Sequence, residues 1–254
     1  MTRMSAGLSF GILLATASLT HAQVPPPPPG GGAPQPPPQN LQVMPKDTPR
    51  PQVLATMQNI AAALGVQCNY CHVFEGRGGR NDMASDEKPT KKAARGMMIL
   101  AREINEKLPP AVGKAADQTT RVGCATCHRG VPIPKLLPDV ITDAAASGGA
   151  AAGIAKYKEL REKFYGAQAY DFSENGFLQA ANRAAAASKP DDALAYLQAN
   201  LEYFPKSSRT YQFRANIKNG KGDKAGAIAD LEKAVELDPN NAPAKAQLQQ
   251  MKGQ

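Results

Sequence analysis

Apolar residues recur along the chain at helical spacing in several separate blocks. Val53, Leu54, Met57, Ile60, Ala61 and Leu64 repeat at intervals of three and four, as on one face of a helix. Gly65 follows the last of them and suits a helix stop. A second amphipathic block, KPTKKAARGMMILAREINEKL, carries Met97, Leu100, Ile104 and Leu108 on one stripe. Pro89 sits in its first turn, where a missing N–H costs little, and Pro109-Pro110 is expected to end it. Beyond residue 175 the pattern repeats with a period of 34: Phe177 recurs as Tyr211, Ala181 as Ala215, Ala193 as Ala227, Leu197 as Leu231 and Pro205 as Pro239. Further helices are expected near 150–164 and 242–251. The pattern predicts an all-α fold.

Two stretches fall outside it. Residues 1–22 combine Arg3, a short apolar run from Ala6 to Leu19 and a small-residue end at Ala22, which reads as a secretory signal peptide and predicts a periplasmic protein. The run is too short to span a bilayer. Residues 23–40, with VPPPPPGGGAPQPPP at their centre, read as an extended Pro/Gly-rich linker, because Pro lacks a backbone donor and Gly adds chain entropy. Residues 41–138 then form one module, 139–149 (DVITDAAASGG) a linker, and 150–254 a second module.

Composition matters mainly through its scarce residues. The 254 residues contain four Cys and three His. A Cys-poor chain of this length is not a disulfide scaffold. The first module spells out Cys68-Asn69-Tyr70-Cys71-His72 and Cys124-Ala125-Thr126-Cys127-His128. Each is CxxCH, the attachment signature of c-type haem. Two Cys three apart reach the two vinyl groups of one porphyrin, and the adjacent His faces the iron. The two motifs use every Cys and, once residues 1–22 are removed, every His. A zinc site of four cysteines is the alternative, but it leaves both His unexplained. Disulfides within each CxxC pair and a thioredoxin-like motif are weaker still, since no βαβ pattern flanks either pair.

With no spare His, the sixth iron position falls to Met, to another weak ligand or to nothing. A thioether raises the potential relative to a second His. Met57 lies on the helix that stops just before Cys68. On the second helix the stripe favours Met97 over Met98 only slightly, and core packing is an equally ordinary role for either. Arg77 and Arg80 in the polar loop 73–88 are candidates to pair haem propionates.

GVQCNYCH, ARGMMILAREIN and VGCATCHRGVPIP are similar to stretches of the tetrahaem cytochrome c subunit of bacterial photosynthetic reaction centres, over about residues 41–138. The resemblance implies units in which a Met-bearing helix turns into a CxxCH segment running back across a haem. It also implies Met57 and Met97 as distal ligands. The family's full form has four motifs, and this chain has two, a two-haem half unit. The loop LPPAVGKAADQTTRVG lacks the His that serves one haem of the full form.

The C-terminal period, with small residues at helix contacts and Pro closing each repeat, is similar to tetratricopeptide repeats, which offer a concave surface to proteins. Charge bears on partners. Residues 45–138 hold 14 basic and 8 acidic side chains, and residues 139–254 hold 15 and 14. Four haem propionates would offset much of the first excess, so no nucleic-acid surface is implied. Lys88, Lys91, Lys92 and Arg95 are expected to form a mildly cationic face that steers an acidic redox partner. The expected function is electron transfer between redox proteins, donor and acceptor, with two covalent haem c groups and no enzymatic turnover. A membrane-bound photosynthetic or respiratory complex is the expected partner, and no small-molecule substrate is expected. A haem enzyme with an open iron, peroxidase-like, and a repeat-based assembly protein with accessory haems are the rivals.

Overall fold

The computed structural model describes residues 36–76 and 78–253. The expected signal peptide, residues 23–35 of the linker and Arg77 lie outside the described residues. Among the described residues the chain is helical throughout, apart from loops and one two-residue antiparallel ladder.

Helix α1 (Arg50–Leu64) carries the first apolar face. Gly65 ends it in the left-handed region, at φ +65°. The Gly65 and Val66 amides close the turn on Ala62 O and Ala61 O, so the last carbonyls are satisfied. The first CxxCH follows as a 3-10 turn over Cys68–Tyr70. Strands β1 (Val73–Phe74) and β2 (Asn81–Asp82) pair Val73 with Asp82 and Phe74 with Asn81, folding the polar loop back on itself.

Helix α2 (Pro89–Ala111) does not stop at Pro109-Pro110 as the sequence predicts; both prolines lie inside its last turn. Proline's fixed φ is compatible with a helix, and both the missing N–H bonds and the crowding of the i−4 carbonyls fall in the final turns here, where the helix is ending anyway. The stop comes at Gly113, φ +66°, where the Gly113 and Lys114 amides donate to Pro110 O and Pro109 O. The second motif is a short helix of its own, α3 (Cys124–His128).

Residues 139–149, expected as a linker, are helical, within α4 (Leu137–Phe164). The break is confined to Gly148 and Gly149, whose backbone departs from helical values. The apolar residues at the start of α4 decide the matter: Leu137 and Ile141 are buried in the same cluster as Tyr157, Phe177, Ala181, Ala193 and Leu197. Helices α5 (Asn175–Ala186), α6 (Pro190–Tyr203), α7 (Ser208–Gly220), α8 (Lys224–Leu237) and α9 (Ala242–Lys252) reproduce the period read from the sequence. Ala181, Ala193, Ala215 and Ala227 are all essentially inaccessible, and the small side chain at each allows adjacent helices to approach closely. Ser207, Asp223 and Asn241 cap α7, α8 and α9 by accepting from Thr210, Gly226 and Ala244 amides.

The two main apolar clusters both consist of residues from 137 onward. Between residues 38 and 136 the buried apolar side chains are Leu64, Val73, Pro109 and Val131.

Candidate haem centres

The two CxxCH histidines share one arrangement. His72 Nδ1 lies 2.9 Å from the Met83 carbonyl, and His128 Nδ1 lies 3.0 Å from the Val131 carbonyl. A carbonyl only accepts, so Nδ1 carries the proton in each ring. That leaves the Nε2 lone pair for a metal, with the ring's tautomer and orientation set by its loop. His128 is buried and His72 half-buried. Burial, with the charges of Lys91, Arg95 and Lys88, pushes the His72 imidazole below its usual range despite the opposing Met83 bond.

The four Cys are unpaired. Burial raises the Cys71 thiol, with Thr90 and Lys88 opposing. Among the described residues no three His, Cys, Asp or Glu side chains converge, so the two pairs do not assemble the four-cysteine zinc alternative.

Close backbone contact joins the two attachment segments. The Gly130 amide, just after the second motif, donates to Ala63 O at 2.8 Å, just before the first. A Cβ on Gly65 would overlap Gly130 O. Asn105 of α2 holds the approach to the second motif. Its Nδ2 donates to Val122 O at 2.8 Å, and its Oδ1 accepts from the Val122 amide at 2.7 Å.

Of the Met candidates, Met57 is half-buried on α1 and Met98 half-buried on α2. Met97 is 46% exposed, beside Leu100 at 46% and Ile104 at 36%. An apolar stripe left uncovered by protein, next to segments that present Cys pairs and Nδ1-anchored imidazoles, fits a flat macrocycle with an iron at its centre. These residues would hold a covalent haem.

The cationic face expected on α2 is mostly consumed internally. Lys91 is buried, its ammonium donating to Met83 O, Ala84 O and Ser85 O at 2.9, 2.9 and 2.8 Å. Arg95 pairs with Asp86 at 2.9 Å and donates to Asn40 O at 3.1 Å. Lys88 donates to Asn69 O. Lys92 alone of the four remains exposed without a partner among the described residues. These groups follow polar backbone, which a loop exposes and charge patterning along the sequence does not reveal. Arg80, one of the two propionate candidates, pairs with Glu87 at 3.1 Å on the surface. The sequence pattern leaves Asn105 unmarked, its only signal being an Asn beside an apolar helical stripe, and it puts Lys91 on an open face rather than beneath the loop.

An all-α chain with Met-bearing helices and CxxCH segments whose imidazoles are anchored through Nδ1 defines a c-type cytochrome. The family described as "Photosynthetic reaction centre cytochrome C subunit" matches residues 39–183, more than half of the chain, and the chain belongs to that family. It is 43% identical over 75 residues to cytochrome c-554 of Chloroflexus aurantiacus, which covers 30% of this chain and 16% of that one. It is 37% identical over 99 residues to the photosynthetic reaction center cytochrome c subunit of Thermochromatium tepidum, covering 38% of this chain and 22% of that one. The chain thus spans less than a quarter of the length of these relatives. A solved structure titled "First TPR of Spaghetti (RPAP3) bound to HSP90 peptide SRMEEVD" is 17% identical, with a TM-score of 0.33, over 46% of this chain and 88% of that one.

Proposed function

We propose that this chain is a periplasmic dihaem cytochrome c that passes electrons between redox proteins. Cys68 and Cys71 hold one haem and Cys124 and Cys127 the other. His72 and His128 are the proximal iron ligands, and Met57 and Met97 close the distal sides. One observation carries the reading: both CxxCH imidazoles donate Nδ1–H to a carbonyl of their own loop and keep Nε2 for iron. When bound, haem would supply a one-electron couple, and His72, His128, Met57 and Met97 are the residues that would hold its iron.

The remaining residues tune and connect. The direct contact between the Gly65 turn and Gly130 keeps the two attachment segments adjacent, which favours transfer between the two groups. The helical repeats carry a groove of about 360 Å³ lined by Leu178, Asn182, Arg209, Gln212, Phe213 and Asn216. Its mixture of amide, cationic and apolar side chains suits a protein segment, and the repeat module is proposed to dock the partner complex, photosynthetic or respiratory. Residues 1–22 are proposed to direct export.

The test is the intact mass of the protein matured in a host with cytochrome assembly machinery. The expected mass is that of a chain cleaved after Ala22 with two haems attached through thioethers. A mature protein with no added tetrapyrrole refutes the proposal, and a single added group refutes the dihaem reading.

A further inference from the structure

We propose that Lys91 is a positioning residue for His72, setting the reduction potential of the first haem site without touching it; this rests on the reading of His72 as an iron ligand. The Met83 carbonyl accepts two donors at once: His72 Nδ1–H at 2.9 Å and the Lys91 ammonium at 2.9 Å. Lys91 goes on to Ala84 O and Ser85 O, so one buried cation gathers three consecutive carbonyls. It is 8% exposed, and no other Lys in the described chain is buried.

Gathering three carbonyls is a structural task, and a surface Lys rarely accepts the desolvation it requires. What the arrangement accomplishes is aim. The 83–85 backbone has no regular partner of its own, being a loop between β2 and α2. Held by the ammonium, the Met83 oxygen is fixed where the imidazole needs its acceptor. The same cation draws electron density from that oxygen, so the ring bonded to it is a weaker electron donor to iron. A nearby positive charge further disfavours the more highly charged ferric state. Both effects raise the potential of this site.

The charge is graded rather than cancelled. Asp86 Oδ1 lies 3.3 Å from Lys91 and 2.9 Å from Arg95, so one carboxylate serves two cations. Asn40 donates to that same carboxylate, and Gln42 to its other oxygen. Lys88 stands near and is bonded to Asn69 O. The second site is built differently. Val131 O, the acceptor for His128, has no cationic donor among the described residues. Two otherwise similar motifs thus differ in one second-sphere charge, which separates their potentials.

The experiment is a spectroelectrochemical titration of the haem-loaded full chain carrying Lys91→Gln, Lys91→Arg or Asp86→Asn. Lys91→Gln is expected to shift the reduction equilibrium of one site about tenfold toward the ferric state, about 59 mV for a one-electron couple. The other site stays where it was. Lys91→Arg retains charge and donors and restores most of the shift. Asp86→Asn moves the same site in the opposite direction. A purely structural role predicts that both sites loosen together, or that Lys91→Arg behaves like Lys91→Gln, and either result overturns the proposal. So does an unchanged pair of potentials in Lys91→Gln. If Lys91→Gln fails to mature, Asp86→Asn decides alone: a one-site rise upholds the proposal, and no shift overturns it. The haem content of the wild type, with the spectrum of His72→Ala, is read alongside. Absence of haem at Cys68 and Cys71 removes the underlying ligand assignment, whereas normal haem content with unmoved potentials removes only the role of Lys91.

Discussion

Replacing Gly65 by Ala tests whether the two attachment segments are truly locked together, and Gly113 supplies the matched control. Both glycines end a helix at nearly the same left-handed φ, +65° and +66°. An Ala in that region costs roughly 1–2 kcal/mol, partly offset by about 0.4–1 kcal/mol from a stiffer unfolded chain. At Gly113 nothing lies within 4 Å of the added Cβ, so only this small net cost applies. At Gly65 the Cβ would overlap Gly130 O and stand 3.0 Å from Gly130 C. Relief requires a shift of roughly 1 Å to reach an ordinary carbon–oxygen contact. The Gly130 amide donates to Ala63 O at 2.8 Å from the same backbone, and such a shift breaks that bond. The lost bond is worth about 1 kcal/mol and the forced repacking about 1–3 kcal/mol. Gly65→Ala should therefore exceed Gly113→Ala by about 2–4 kcal/mol locally. Amide hydrogen exchange at Gly130 reads this directly, because local opening is measured residue by residue. Its protection should fall at least tenfold in Gly65→Ala and stay unchanged in Gly113→Ala. Equal protection of the Gly130 amide in both variants would refute the close-approach argument.

Two further outcomes are expected. Met57→Ala and Met97→Ala should each lower the potential of one haem or open its iron, while Met98→Ala leaves both potentials unchanged; wild-type spectra and potentials in the first two variants exclude the methionine assignment. Asp230 is buried beside Arg214 at 2.6 Å and Lys218 at 2.9 Å. Burial pushes its carboxyl up, but hydrogen bonds and charge from those two cations outweigh this and hold it below the usual carboxylate range. Its contribution is thus present above the unfolded value of about 3.9 and is lost as pH falls through the folded value. Asp230→Asn should flatten the acid limb of a denaturation series, and an unchanged limb would show that the pair carries no stability.

Much of the chemistry was legible in the residues themselves. CxxCH needs only neighbouring positions in the chain to bring two thiols and an imidazole to one turn, so local sequence suffices to read it. Gly65 at the end of α1 and Pro89 at the start of α2 likewise act through their own backbone dihedrals. The 34-residue period was legible because each repeat makes the same contacts as its neighbour. The prolines at 109 and 110 misled, since a helix can carry them through its last turn. Arg95 and Lys91 misled too: a run of basic residues reads as a surface when the groups that absorb it, the 83–85 carbonyls, the Asp86 carboxylate and Asn40 O, come from other segments.

What the chain dictated alone was therefore local: most of the helical segments, where two porphyrin-attachment signatures stand, and that the C-terminal half repeats. The folded molecule decided everything that depends on distant segments meeting. It buried Leu137 and Ile141 of the α4 start in one cluster with residues of α5 and α6, because an apolar face seeks whichever neighbour can cover it. It brought Gly130 against Gly65, and it set a buried ammonium on the carbonyl that orients His72. Backbone oxygens carry no side-chain code, so their partners emerge only when the chain has folded around them.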